Sequence, residues 1–540
     1  MKKILLFVLF TFITQKIEAQ TEAFITTWVT TTGSETITLS AQADAPNYTI
    51  NWGDDSAINT YDSTQTPSHL YVNSGEHTIL IMGTFPHLTF VGQTKLKAVQ
   101  QWGTQKWTSM ANMFQDCTTF NSFPIQAPDL SLCTNMSAMF SKASAFNQPI
   151  GSWNVSSVTN MSKMFYKASA FNQPIGNWIV SSVTDMSNML YSAKAFNQPI
   201  GLWNVSSVTN MSNMLYSATA FNQPIGDWKG KVSSVTNMSN MFFGATAFNQ
   251  PIGLWDVSSV TNMSGMFVFA TVFNQPIGDW KVSRVTNMSS MFYKATAFNQ
   301  PIMSWIVCNV TNMSSMFAYA SAFNQPIGSW ELCSVTNMSK MFTYATAFSQ
   351  PIGSWNVSNV TDMSSMFAYT SAFNQPIGSW NVSSVTNMSN MFIGAKLTTA
   401  NYDSTLTDWA TKGANGGVKQ GVTFSGGTSN YCNGLSARNI LIDKYGWIIT
   451  DSGSNCNSLE TEVFDKSSLC QYPNPASTVI NVKVDANIAN KPFNITDTLG
   501  RIVLKGKLNE DNTTINVEHL SKGIYFIKIA NNKASKFIKE

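Results

Sequence analysis

The sequence predicts a repeat solenoid of short parallel strands and short helices, flanked by two small all-β sandwich domains. Three observations lead there. A Met-x-x-Met-Phe/Leu box returns at Met110, Met136, Met161, Met186, Met211, Met238, Met263, Met288, Met313, Met338, Met363 and Met388, almost always 25 residues apart. A fixed period of that size marks stacked repeat units. Inside one period a helical apolar spacing follows a strand spacing, and outside the array the period gives way to alternating runs bounded by turn residues.

The chain opens with Lys2 and Lys3 before an apolar run, Ile4 to Ile13, and "KIEAQ". This is the form of a secretory signal peptide, residues 1–19, cleaved between Ala19 and Gln20. The run is too short to span a bilayer, and no later apolar run reaches the required length, so no membrane span is expected. Residues 20–98 follow as a small β domain: "ETITLSAQ", "YTINWGDDS" and "HTILIMG" are strand-like and bounded by turn residues. Asp54 and Asp55 could bind calcium, but a solvated turn is the preferred reading.

The array is expected over 99–429, about twelve units. In one unit Met161, Met164, Phe165 and Ala168 share a helix face, which Ser157 or Thr159 would cap. Trp153 and Val155 alternate as in a strand, and "FNQPIG" supplies the turn. One 25-residue unit cannot bury enough apolar surface to fold alone, so neighbours must stack. A C-terminal cap is expected at 430–460, with a helix over Ala437 to Lys444 and a strand at "WIIT". A linker, 461–471, leads to a last β domain, 472–540.

Composition limits the function. The chain is 44% hydrophobic and 11% charged, with net charge +3. That leaves no electrostatic footprint for nucleic acid. The four histidines, His69, His77, His87 and His519, lie outside the array, so no Ser-His-Asp or Cys-His arrangement can form there. Asp185, Asp256 and Asp362 are isolated acids at otherwise polar positions. No enzyme, cofactor or metal site is expected.

Two ladders run through the repeats. Asn147, Asn172, Asn197, Asn222, Asn249, Asn274, Asn299, Asn324 and Asn374 share one register, broken by Ser349; stacked amides can hydrogen-bond along the array axis. Tryptophans from Trp153 to Trp380 share another. All but Trp228, where a two-residue insertion intervenes, precede an apolar residue by two positions, usually valine, so the tryptophan row is expected to be core; exposed, it would be a platform for sugar rings. Ligand contact then falls to variable positions after each box, where Tyr166, Tyr191, Tyr216, Tyr293, Tyr319 and Tyr344 recur in shifting phase.

Seven cysteines suit an exported, disulfide-permissive protein. Cys432 and Cys456 bracket the cap. Cys308 and Cys333 hold the same place on adjacent units, within disulfide reach at a rung spacing of about 4.8 Å. Cys117 and Cys133 are a candidate pair across the atypical first unit, and Cys470 is left over.

The repeat "W-x-V-S-x-V-T-x-M-S-x-M-F" resembles the 25-residue repeat of BspA-type leucine-rich-repeat surface proteins, which implies a leucine-rich-repeat-like solenoid on a bacterial surface, in some members adhesive. "INWGDDS" followed by "HLYVNSGEHTILI" resembles the PKD immunoglobulin-like sandwich. "YPNPAS", "DTLGRIV" and "LSKGIYFIKI", carrying Pro473, Asn474, Pro475, Gly500, Arg501, Gly523 and Tyr525, resemble the type IX secretion C-terminal sorting domain. That resemblance implies a Bacteroidetes-type envelope, type IX secretion machinery as partner, and a secreted or outer-membrane surface location. The expected function is an adhesin or recognition scaffold for an extracellular protein or glycan ligand. The alternatives are a surface-layer or spacer protein and, more remotely, a carbohydrate-active enzyme or carbohydrate-binding module.

Overall fold

The computed structural model describes residues 22–40, 47–62, 64–85, 87–456, 471–483, 489–509, 512–529 and 535–540. The expected signal peptide with Ala19 and Gln20, the expected linker up to residue 470, and Cys470 lie outside the described residues. Two compact units emerge, 1–456 and 457–540.

The first unit begins with β1 (Phe24–Thr30), β2 (Glu35–Thr38), β3 (Tyr48–Asn51), β4 (Asn59–Tyr61), β5 (Ser68–Tyr71), β6 (Gly75–Gly83) and β7 (Leu96–Gln101). One sheet has the order β4-β3-β6-β1-β7, and β2 pairs β5 in a ribbon. Alternation along β6 turns Ile79 and Ile81 inward. The Tyr71 hydroxyl donates to the Trp52 carbonyl at 2.7 Å, tying ribbon to sheet. There is no gap between this domain and the repeats. Phe90 N donates to Met113 O and Val99 N to Ser122 O, and Phe24 packs on Trp102 and Trp107 inside one continuous core. The segment carrying β7 both closes the sheet and lays down the first rung.

The repeats stack in register. Parallel bridges link Asn135, Asn160, Asp185, Asn210 and so on to Asn387, and the Cα atoms of Cys308 and Cys333 on neighbouring rungs are 4.7 Å apart. The expected helix is corrected. Among the described residues no repeat contains an α-helix; its place is taken by two consecutive turns. In the unit at Met161, Met164 N returns to Met161 O (3.2 Å) and Ala168 N to Phe165 O (3.0 Å). The third residue of each turn, Lys163 and Lys167, has φ 57, the left-handed geometry that ends a right-handed helix. The amides of Met161, Lys163, Phe165 and Lys167 donate instead to Asp185, Ser187, Met189 and Tyr191 of the next rung. Two turns in series bury the same i, i+3, i+4, i+7 set that a helix would.

The expected strand at Trp153–Val155 is likewise displaced: both side chains are buried, but the bridges form at Asn160. The hydroxyls proposed as helix caps reach back one rung, Ser157 to Ser131 O at 2.9 Å and Thr159 to Thr134 O at 3.1 Å.

The asparagine ladder holds the "FNQP" corner. Asn147 Oδ1 accepts Asn172 N at 2.9 Å and Gln173 Nε2 at 3.1 Å, and the pattern begins one rung earlier at Asn121. One oxygen therefore serves two donors of the next rung. Replacing Asn249 with Ala should cost about 1–3 kcal/mol by orphaning Asn274 N and Gln275 Nε2. Asn249→Ser should cost less, since Ser349 occupies this row naturally and its oxygens receive Gln375. Urea midpoints of the two variants check the order.

At the far end the rungs continue through β8 (Asn387–Met388), β9 (Thr423–Ser425) and β10 (Ile448–Thr450), a parallel sheet. A helix over Thr399–Gly413, not anticipated in the sequence, covers the last full repeat; the Thr398 side chain caps it. Asn374 passes its acceptor to this helix, receiving Thr398 N and Asn401 Nδ2. A second helix, Leu435–Asp443, lies in the segment expected to cap the array. Asp403 accepts the backbone N–H groups of Cys432, Asn433 and Gly434, all within 2.9 Å, and so fixes the entry to that helix.

The second unit contains β11 (Gln471–Tyr472), β12 (Val479–Lys483), β13 (Pro492–Thr496), β14 (Ile502–Lys507), β15 (Asn512–Asn516), β16 (Gly523–Ile529) and β17 (Ser535–Lys539). They form sheets β11-β12-β15 and β14-β13-β16-β17 around Ile480, Val482, Ile495 and Ile527.

Candidate functional site

The polar candidates within the array have structural partners. Asp185, Asp256 and Asp362 each accept the N–H two residues on, from Ser187, Ser258 and Ser364. Asparagines do the same in other units, so these acids close local turns. The bonds from Ser258 hold the Asp256 carboxyl below its usual range. In the N-terminal domain Asp54 lies 2.7 Å from His69 Nε2. Burial works against ionisation there, yet bonds from Ser56 and His69 bring its carboxyl down to about 2. Asp55 occupies a left-handed turn position, φ 60. Among the described residues no cluster of His, Cys, Asp and Glu could hold a metal ion, and no helix is long and apolar enough to cross a membrane.

The cysteines divide. Cys308 is bonded to Cys333 and Cys432 to Cys456. The candidate pair Cys117–Cys133 is corrected: both thiols are free and buried. Each faces a carbonyl of its own, Phe90 O and Asn135 O. Burial pushes the Cys117 thiol up to about 12 and the Cys133 thiol up to about 11.

The tryptophan row is core. Trp153 to Trp380 are at most 5% exposed, and the indole N–H of Trp178, Trp203, Trp228 and Trp255 donates to an isoleucine carbonyl of the preceding rung at 3.1 Å. No indole face is left for a sugar.

The tyrosines come together. Tyr166, Tyr191, Tyr216, Phe243, Phe269, Tyr293, Tyr319, Tyr344 and Tyr369 form one column across nine rungs, every ring in contact with the next. The shifting phase has a simple origin. In some units the aromatic is the fifth residue after the first Met of the box. In others it is the sixth, in left-handed geometry, as at Phe269, Tyr319, Tyr344 and Tyr369; the fifth is then a small buried residue, Val268, Ala318, Thr343 or Ala368. Phe243, Phe269 and Tyr369 belong to the column although the sequence reading did not include them; counting both phases as one row would have found them.

Where phase is constant the rings lie nearly parallel: Tyr191 and Tyr216 at 4.3 Å and 8°, Tyr344 and Tyr369 at 4.4 Å and 11°. Where phase switches they tilt: 56° at Phe243–Phe269, 68° at Phe269–Tyr293 and 63° at Tyr293–Tyr319. Parallel neighbours cover each other's faces and show edges and hydroxyls to solvent. Partial burial raises the Tyr191 phenol above its ordinary range.

The sorting-motif residues are structural in the second unit. Asn474, between Pro473 and Pro475, accepts Ile538 N at 2.9 Å, pinning the motif to the last strand. Gly500 supplies a turn with φ 78, next to Arg501, which bonds Asp497 at 2.7 Å. Gly523 opens β16, and the Tyr525 hydroxyl donates to Ser521 O at 2.9 Å.

Residues 471–540 match the family described as secretion system C-terminal sorting domain, which marks the chain as an exported repeat protein handled by type IX secretion machinery. No curated protein and no solved structure matches the chain at a significant level. The repeats match a second family over residues 84–186, 153–232, 171–255, 229–330 and 321–416, together more than half of the chain. The first match begins within the segment that joins the N-terminal sheet to the first rung. By these matches the chain belongs to the family described as Mycoplasma protein of unknown function, DUF285.

Proposed function

We propose that this protein is a non-catalytic recognition scaffold, an adhesin displayed on or released from the cell surface. In this reading the stacked units are a leucine-rich-repeat-type solenoid, the N-terminal sheet and ribbon are a PKD-like spacer, and the ligand is an extracellular protein or glycan. The observation that carries it is the solvent-facing column of nine aromatic rings on a protein bearing a secretion sorting domain. Tyrosine offers large contact area with little side-chain entropy to lose. Matrix-protein and glycan arrays probed with the full chain test the reading: binding lost on Tyr191→Ala with Tyr216→Ala supports it, and no binding to either array overturns it.

A second reading is a surface spacer without a ligand. The parallel stretches Tyr166–Phe243 and Tyr319–Tyr369 favour it, because rings that cover one another stabilise neighbouring rungs with no partner. Concentration-dependent assembly in the absence of any ligand would support this reading.

Export makes its own prediction. Mature protein from the surface or medium should lack residues 1–19 and the C-terminal unit, with the second cut near 457–471. Intact mass reads this directly, and a mature form retaining "KFIKE" would remove the basis for processing by type IX secretion.

A further inference from the structure

The charged residues among the boxes and the aromatic column are lysines. In the ten units from Met161 onward, the ten-residue segment starting at each box holds Lys163, Lys167, Lys194, Lys294, Lys340 and Lys396 and no Asp or Glu. Of the acids in the same units, Asp227, Asp256, Asp279 and Glu331 neighbour the tryptophans, while Asp185 and Asp362 stand one residue before their boxes and close turns with Ser187 and Ser364.

The column also changes its packing at one place. Across the three phase switches the rings tilt out of parallel stacking, and Phe269 there is 37% exposed, comparable to Tyr344 and Tyr369 further along. Two grooves meet there at Tyr293, each about 440 Å³, within the size range of small-ligand sites. The first is lined by Phe243 and Phe269 with Asn240 and Ser264. The second is lined by Tyr319 and Tyr369 with Lys340 and Ser315. Lys294 lies at the junction, its Nζ 4.7 Å from the Phe269 ring centre, 5.2 Å from Tyr319 and 5.7 Å from Tyr293. None of the ion pairs among the described residues engages it.

We propose that this stretch binds an acidic polysaccharide, a pyranose polymer bearing carboxylate or sulfate groups, laid along the array axis. The proposal rests on the recognition reading and names its ligand class. Partly exposed aromatic rings suit the flat apolar faces of sugar rings, while Asn and Ser side chains suit their hydroxyls. Lys294 and Lys340, which take part in none of the ion pairs among the described residues, suit the acid groups. Two grooves with the same chemistry, side by side along the axis, suit a polymer of repeating units.

The test is calorimetric titration of the full chain with an oligogalacturonate, a sulfated galactan oligomer, a neutral dextran oligomer and oligothymidine. At least one acidic glycan should bind, about tenfold or more tighter than dextran, a gap of about 1.4 kcal/mol, and more weakly at high salt. The carboxylated and sulfated probes tell the two acid groups apart. Phe269→Gly and Lys294→Gln should each weaken binding about tenfold. Gly244 already stands in the Phe269 register, so Phe269→Gly keeps the turn. Lys229→Gln, in the insertion outside the column, should change nothing. Equal binding of dextran, tighter binding of oligothymidine, or an unaffected Phe269→Gly variant overturns the proposal. If the chain binds a matrix protein but no glycan, this proposal falls and the recognition reading stands; if it binds neither, both fall.

Discussion

Replacing Trp255 with alanine is expected to cost about 3–5 kcal/mol, the range for removing a large buried aromatic. The side chain is 3% exposed and packs on Trp228 and Phe242. Its indole N–H also donates to Ile225 O on the rung before, so the variant leaves a void and removes a bond between rungs, while Ile225 O keeps the backbone N–H of Trp228. Each rung touches mainly its neighbours, so the damage should stay local. Limited proteolysis should open the array near residue 255 while the N-terminal sheet survives. Ligand binding at the aromatic column should persist wherever the column remains folded. A Trp255→Ala protein of unchanged stability that had lost binding to a sugar would make the tryptophans a ligand platform instead.

The second large effect is expected at Asp403. One carboxylate accepts three backbone N–H groups at the entry to the helix Leu435–Asp443, and it is 8% exposed. Asp403→Ala strips all three donors of their partner and should cost about 3 kcal/mol, given that bonds to charged groups contribute about 1.5–3 kcal/mol each and are not additive. Asp403→Asn keeps an acceptor but loses the charge and should fall between. Hydrogen exchange should show the loss over residues 430–450, with the central rungs unchanged. A wild-type exchange pattern in Asp403→Ala would show that Cys432–Cys456 alone holds this segment.

The period and the buried rows were legible because each rests on a side-chain pattern repeated in register, and the C-terminal domain because its motifs follow in a fixed order. Trp153 and Val155, Met161 and Met164, and Asn147 all lie where a two-residue or 25-residue period puts them. The backbone between them was not legible from apolar spacing. Met161, Met164, Phe165 and Ala168 satisfy a helix and a pair of turns equally well. What separates the two is the residue just before the second Met. It is Asn or Gly in half of the boxes, at Asn112, Asn188, Asn213, Asn240, Gly265 and Asn390, and it carries positive φ throughout. The helix at Thr399–Gly413 escaped for a different reason: its apolar positions are set by the end of the array they cover, and its interior holds Thr and Asp, residues of modest helix propensity. The aromatic column was half legible. Its tyrosines were visible, but a row that moves between two positions looks like two sparse rows until left-handed geometry at the second brings the rings back into line.

The asparagine corner has a bearing on how long such a protein can be. Where Asn stands at this corner, its oxygen serves the next rung, and that rung offers the same kind of donors to the one before. Such joints are therefore chemically alike, apart from the one at Ser349 and the pair of rungs joined by Cys308–Cys333. A unit copied or lost among the alike joints would meet the same corner partners on both sides, whereas the terminal rungs are sealed by the N-terminal sheet and by Thr398 and Asn401. Copy number is thus a free variable of this architecture. The length of the array, and the number of rings in its aromatic column, can change by whole units without a new kind of corner contact.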